Sequence, residues 1–477
     1  MPKEIIIDPV TRIEGHARIT IQIGDDGRVE DAQFHVTQFR GFEKFTEGRR
    51  FEEMPSITAR ICGICPVSHL MASAQACDEL LAVEVPPAGR KLRRLFNLGQ
   101  YVQSHALSFF HLTSPDLLLG MDAPVAERNV LGLAARFPEQ AKAGIWLRQF
   151  GQRIIERLSG KRIHPMWMVP GGVSSPLSSQ DRTEILADIP RALEITRQTV
   201  DLLKSVLDQF GPEIESFGRF PSLFLGLVTP EGDIEHSFGR IRIVDQDRNI
   251  VADQIPPAAY SEFIGEATVP FSYLKMPYYK PQGYPDGFYR VGPLARLNVC
   301  DRCGTPLADA ELAHFRALGA EHHGAVWESF HFHYARLIEI LYALEMIERL
   351  LGEPDILSTD IRAHASPNRL EGVGISEAPR GTLIHHYRIN ANGQITWANL
   401  IVATGHNNLA MNRGVLEVAK RFVDGNQLRE GALNRVEALI RCYDPCLSCS
   451  THALGQMPMR LQLLGPGGSL LAEHRRD

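Results

Sequence analysis

Three C-x-x-C pairs constrain this chain more than any other feature of its 477 residues: Cys62/Cys65, Cys300/Cys303 and Cys446/Cys449. Two sulfurs at that spacing can converge on one metal, above all at the start of a helix, where unpaired N–H groups and the helix dipole favour the thiolate. The first pair sits just ahead of Pro66, a residue suited to a first helical position, and Pro445 precedes the last pair. Zinc ribbons place their pairs roughly 15–20 residues apart, whereas nearly the whole chain lies between Cys65 and Cys446. A site joining those two pairs would be buried in the body of the protein. Structural zinc, which that separation weakens, and unrelated core cysteines are the plainer readings; four soft thiolates suit zinc, nickel or iron, and softness alone does not choose.

Composition narrows the setting. Lys+Arg is 50 and Asp+Glu is 56, a net charge of −6, which argues against a basic surface for nucleic acid. A hydrophobic content of 44% supports a large core and excludes disorder as the main state. Eight cysteines are too few for a disulfide scaffold of this length. No run of about 18 apolar residues predicts a membrane span. The opening MPKEIIIDPVTRIEGH has no apolar signal segment, so the expected compartment is the cytoplasm, where thiols stay reduced. No G-x-G-x-x-G follows a strand, so no flavin, NAD or other dinucleotide site is expected in this chain.

Periodicity predicts a mostly helical body with small β elements. Residues 4–40 alternate as strands around the Asp25-Asp26-Gly27 turn, and residues 66–83, 90–112, 137–158 and 180–210 carry apolar residues at helical spacing. Residues 219–252 read as β and 256–306, rich in Pro, Gly and Tyr, as an irregular excursion. The longest helical pattern spans 308–352, as one helix or two. A hairpin turns at Asn392-Gly393, residues 411–441 are helical, and the tail after about 453 is weakly patterned. No linker or repeat divides the chain, which predicts one compact body.

The text around the first and last pairs is more specific than the pairs themselves. Arg60-Ile61-Cys62-Gly63-Ile64-Cys65-Pro66-Val67-Ser68-His69 and Asp444-Pro445-Cys446-Leu447-Ser448-Cys449-Ser450-Thr451-His452 resemble the two signatures of the nickel–iron hydrogenase large-subunit family. Arg12-Ile13-Glu14-Gly15-His16, Arg40-Gly41-Phe42-Glu43 and Ala378-Pro379-Arg380-Gly381 agree with it, so the resemblance runs from about residue 4 to the C-terminus. It implies an α+β, predominantly helical fold: a central long-helix bundle with small peripheral sheets and hairpins.

The resemblance also implies a site. Cys62, Cys65, Cys446 and Cys449 would hold nickel, with Cys65 and Cys449 bridging to an iron that carries cyanide and carbon monoxide. Glu14 would relay protons. Glu43, His452 and a backbone carbonyl near Leu400 would bind magnesium. Arg380 would stand over the open metal position, held by Asp116 and Asp444, and Pro379 would pack around the iron's diatomic ligands. The reaction implied is reversible cleavage of H2 into protons and electrons. The last motif and ICPVSHLMASAQACD look most like the cytoplasmic, bidirectional, NAD-linked group. That group implies two kinds of partner: flavin- and cluster-bearing diaphorase subunits, and a small iron–sulfur subunit. NADP or another soluble carrier is the alternative acceptor. Metal-insertion proteins and an endopeptidase complete maturation in this family. Residues 1–453 would form the catalytic body, and 454–477 an extension removed by cleavage after His452 or Ala453.

Two other classes remain as alternatives: a nickel-free subunit of a proton-pumping complex, which would lack the four cysteines, and a zinc-stabilised structural or interaction protein. Cys300/Cys303 lies outside the signatures and reads as a subgroup feature, a redox-sensitive pair or buried thiols. Cys77 reads as core, and Cys442, just ahead of the last motif, is placed where it could lie near the metals. His322, His323, His331 and His333, if on one long helix, are too far apart for a single metal and read as packing or surface residues.

Overall fold

The computed structural model describes residues 3–452, 459–464 and 470–476. Ala453, the second of the two expected cleavage points, and Asp477 lie outside the described residues. Proline opens many of the helices, where its missing N–H has no intrahelical partner to lose. Pro66–Leu81 (α1), Pro87–Ala106 (α2) and Pro138–Ser159 (α3) begin in this way. Ser179–Phe210 (α4) starts instead behind Ser178, whose hydroxyl accepts from the Asp181 N–H at 3.0 Å.

Three antiparallel strands, Lys3–Ile7 (β1), Ala17–Ile23 (β2) and Val29–Val36 (β3), form the first sheet. Ala17, Ile19, Ile21 and Ile23 on β2 are all buried, as its alternation requires. A second sheet contains Leu223–Val228 (β4), Arg240–Val244 (β5) and Ile250–Ile255 (β6). The stretch read as irregular holds a hairpin of Ile264–Val269 (β7) and Ser272–Tyr279 (β8), then Tyr289–Arg290 (β9), which joins β4 in parallel. It ends in the short helix Pro293–Val299 (α5). Aromatic and β-branched residues on the hairpin make a sheet where frequent Pro and Gly suggested a loop.

The 308–352 pattern is two helices, Pro306–Leu318 (α6) and Phe332–Gly352 (α7). α7 is buried almost throughout and packs with α2 and α4, which α3 joins to complete the long-helix bundle. A third sheet orders Glu371–Ala378 (β10), Gly381–Ile389 (β11) and Ile395–Ile401 (β12), all antiparallel. The Asn392-Gly393 turn is where the sequence places it, and β10 is the strand it does not announce. Asn408–Phe422 (α8) and Glu430–Tyr443 (α9) follow, and the tail forms an antiparallel hairpin of Met459–Leu464 (β13) and Leu470–Arg476 (β14). No helix among the described residues is long and apolar enough to cross a membrane.

Two contacts bring the first cysteine pair and Arg380 together. α1 lies on β10, and β11 begins where β10 ends, at the Ala378–Gly381 turn. That seam is close enough that a Cβ on Gly374 would lie 1.9 Å from the Ala72 carbonyl oxygen. The helix bearing Cys65 and the turn bearing Arg380 are therefore set against each other by a glycine.

Candidate metal centre

The Cys62–Cys65 loop enters α1, and α2 holds it in place. Gln100 accepts from the otherwise unpaired N–H groups of Val67 and Ser68 at 2.8 and 3.3 Å, and Gln103 donates to the Ile64 carbonyl at 2.7 Å. The Cys446–Cys449 loop comes after α9, with the Cys446 N–H donating to Thr404 Oγ1 at 2.9 Å. Arg40 ties the two loops together by donating to the carbonyls of Ile61 and Ser448. Nothing in the sequence marks Gln100, Gln103 or Thr404, because their partners are distant main-chain atoms.

The loops bring all four sulfurs within 4.8 Å of one another. Cys62 and Cys446 lie 3.3 Å apart, Cys65 and Cys449 3.3 Å, and Cys446 and Cys449 2.8 Å. All four side chains are buried. Sulfurs bound about 2.3 Å from a shared metal span a comparable distance, so the donor set fits a soft metal. Contact from Cys446 holds the Cys62 thiol well below its usual range, while burial drives Cys446 and Cys449 well above it. Among the described residues, this is the one group of three or more Cys, His, Asp or Glu side chains arranged to hold a metal. Cys300 and Cys303 are buried without such company, and Cys442 faces the His333 ring at 3.4 Å.

A small cavity beside the sulfurs is walled by Cys65, His69, Ala378, Arg380 and Thr404. Arg380 is 3% exposed. Its Nε donates to the Asp444 carbonyl at 2.5 Å and Nη2 pairs with the Asp444 carboxylate at 3.0 Å. Burial opposes its charge, but Asp444 and the neighbouring thiolates outweigh burial and hold the proton more tightly than usual. Pro379 is buried between Ala378 and Arg380.

Asp116 does not fill the place expected for it. Its carboxylate accepts from Arg12 Nη2 at 2.5 Å, Arg441 Nε at 2.9 Å and Asn434 Nδ2 at 3.1 Å. With both oxygens taken by these groups, it steadies Arg12. Ser104 Oγ, at 3.3 Å, is the further partner of Arg380 beside Asp444.

Arg12 in turn sets Glu14. Arg12 adopts φ 57°, and its Nη1 donates to the Leu112 carbonyl at 2.8 Å. Glu14 then lies alongside Cys446: its carbonyl accepts from the Leu447 N–H at 3.3 Å and its Oε2 from the Ser448 N–H at 3.0 Å. Gly15, at φ 88°, lies so close to Leu447 that an added Cβ would come within 2.6 Å of the leucine Cβ. The Arg12–His16 segment is thereby locked to the loop between the last two sulfurs, with the Glu14 side chain half-buried.

Glu43 meets Leu400, and His452 packs on Phe42, the residue before Glu43. Glu43 Oε1 accepts from the Leu400 N–H at 2.9 Å, and the Phe42 N–H donates to His452 Nδ1 at 3.4 Å. His452 Nε2 is buried without a hydrogen-bond partner, which is the state of an imidazole nitrogen free to bind a cation. Lys275, which the sequence does not single out, donates to Glu43 at 3.1 Å and to Asn399 at 2.9 Å. The four histidines from 322 to 333 do not share one helix: His331 and His333 are buried, and His322 stacks on Trp327 at 3.5 Å.

Comparison with known proteins shows the family of the chain. The nickel-dependent hydrogenase family profile matches residues 40–135 and 233–452, and a HoxL-like profile matches residues 4–39. The NAD-reducing hydrogenase HoxS subunit beta of Cupriavidus necator is 41% identical over an alignment covering 100% of both chains. A polypeptide of the F420-non-reducing hydrogenase vhc of Methanococcus voltae is 40% identical over 98% of this chain and 99% of its own. Among solved structures, an NAD+-reducing [NiFe]-hydrogenase in the H2-reduced state matches with a TM-score of 0.91 and 44% identity, over 94% of this chain and 99% of that one.

Proposed function

The chain belongs to the nickel-dependent hydrogenase family, and from that premise we propose that it is the catalytic subunit of a hydrogenase that passes electrons from H2 to NAD+. The observation that carries this reading is the convergence of four buried thiols from the two ends of the chain beside a fixed guanidinium. In this reading Cys62, Cys65, Cys446 and Cys449 would hold nickel, and Cys65 and Cys449 would also hold an iron bearing cyanide and carbon monoxide. When bound, the nickel–iron pair supplies the Lewis acidity that polarises H2.

The chain's own residues do the rest. Arg380 keeps its charge at any working pH and presents it to the cavity, oriented by Asp444. Ala378, which lines the cavity, and the buried Pro379 beside it would pack around the iron's ligands. Glu14, in contact with the loop between Cys446 and Cys449, takes a proton leaving the thiolates and hands it outward. Glu43, the Leu400 carbonyl and the unpartnered Nε2 of His452 would hold magnesium. The N–H and C=O of one strand residue share an edge, so the Leu400 carbonyl lies on the side where its N–H meets Glu43.

In this reading the partners are a small iron–sulfur subunit that takes electrons from the centre and flavin-bearing diaphorase subunits that deliver them to NAD+; the similar Cupriavidus necator chain is itself one subunit of an NAD-reducing hydrogenase. The extension is removed after metal insertion, as residues 454–477 by a cut after Ala453 or with Ala453 by a cut after His452. His452 is buried, and the Thr451 carbonyl accepts from the N–H groups of Arg40 and Gly41 at 3.0 and 3.3 Å, which supports a body that ends close to them.

The test is metal analysis with infrared spectroscopy on the chain purified with its natural partners. Nickel and iron near one each, with sharp bands in the cyanide and carbon monoxide region, are expected, together with H2-dependent reduction of NAD+. Zinc in place of nickel and no such bands would overturn the reading. Reduction of NADP+ and not NAD+ would overturn the acceptor alone.

A further inference from the structure

Behind the Ala378–Arg380 turn lies a second charged cluster, built around Arg296 of α5, a side chain 1% exposed. A guanidinium has five N–H donors, and here each has an acceptor. Nε and Nη2 donate to the two oxygens of Glu339 at 2.5 and 2.7 Å, and Nη1 donates to Glu377 at 2.6 Å. The remaining two reach main-chain carbonyls of the turn: Ala378 at 3.0 Å from Nη1 and Pro379 at 3.0 Å from Nη2.

The two carboxylates are themselves pinned from separate elements. Glu339, on α7, meets His105 of α2 at 2.8 Å and His236 at 3.4 Å. Glu377, on β10, accepts from Thr382 of β11 at 2.7 Å and from the Leu227 N–H of β4 at 3.2 Å. Burying such ions is a poor way to add stability, since desolvation consumes most of the Coulombic gain. What the arrangement does fix is direction: the fork can satisfy both carboxylates and both carbonyls in one orientation only.

We propose that Arg296 is a positioning residue for the centre, holding the Ala378–Pro379–Arg380 turn from behind so that Arg380 and its neighbours face the sulfurs at a fixed distance. This rests on reading the four thiols as a nickel–iron site. Asp444 grips Arg380 by its side chain; Arg296 grips the main chain of the two residues before it. Lysine keeps the charge but concentrates its donors at one point, so it cannot span Glu339, Glu377 and both carbonyls.

The experiment uses the complete complex carrying Arg296→Lys, with Arg93→Lys as control. Arg93 is equally buried and bonded to Asp78 at 2.5 Å and to the Val169 carbonyl at 2.7 Å, remote from the turn. Arg296→Lys is expected to retain nickel, to displace the cyanide and carbon monoxide bands, and to reduce H2 oxidation about 10- to 100-fold. It should also quicken amide hydrogen exchange over residues 378–383. Arg93→Lys should lower thermal stability and move neither the bands nor that exchange. Thr382→Val, which removes one bond to Glu377, is the milder variant and should move both in the same direction by less. Unmoved bands and exchange in Arg296→Lys, or equal movement in Arg93→Lys, would overturn the proposal. A wild-type complex with no nickel and no bands would instead sink the hydrogenase reading, and exchange over residues 378–383 would then decide this inference alone.

Discussion

Glu14 and Arg380 both touch the segment that carries the last cysteine pair, and they are held very differently. Arg380 is buried and gripped through Nε and Nη2, whereas Glu14 is half-buried and its carboxylate accepts one main-chain N–H. A group that must exchange protons with its surroundings benefits from that looser hold. Glu14→Gln keeps an oxygen for the Ser448 N–H but cannot carry a proton at working pH. We expect H2 oxidation to fall by about 10²–10⁴-fold with nickel content and thermal midpoint unchanged; lost nickel would mean that Glu14 serves structure. At this scale the cysteines were legible because each pair is local in sequence. The partner of Arg380 was only half legible. Asp444 lies next to the last motif, but Asp116 proved to serve Arg12, and the choice between two arginines is made in space.

Among the elements, the seam between α1 and β10 bears most directly on the centre. Helices were readable where proline at the first position met a long apolar face, as at Pro66 and Pro138, whereas the seven-residue helix opened by Pro293 read as irregular chain. β10, with the sequence EGVGISEA, was not: it is buried on both faces after its first residue, and its glycines stand where alternation would have shown. Those glycines are there because the helix main chain is, with Ala72 and Ala76 carbonyls against Gly374 and Gly372. Gly374→Ala therefore forces α1 and β10 apart. The expected cost is about 1–3 kcal/mol, seen as a lower thermal midpoint, and reduced nickel retention because the Cys65 and Arg380 walls separate. A midpoint equal to wild type would show that the seam can yield.

Taken whole, the molecule is stitched by buried polar groups as much as by its apolar bundle, and this predicts how it meets acid. Burial lowers His105 and His331 to about 4 and His406 to about 3, each from an unfolded value near 6.5. Between those values the unfolded chain binds more protons than the folded one, so stability is complete above about pH 6.5 and is lost as pH falls towards 4. Each group can contribute up to about 3 kcal/mol of that loss. A thermal midpoint that holds constant from pH 7 to pH 5 would contradict it. The same wholeness has a consequence in time. Cys62 and Cys446 are 384 residues apart, and a ribosome adding about 5–20 residues per second needs roughly 20–80 s to travel from one to the other. For all of that interval the first thiol pair exists without the second. A newborn chain thus offers any passing metal only half a coordination shell, and the cell must deliver its cargo after synthesis of the body is almost finished.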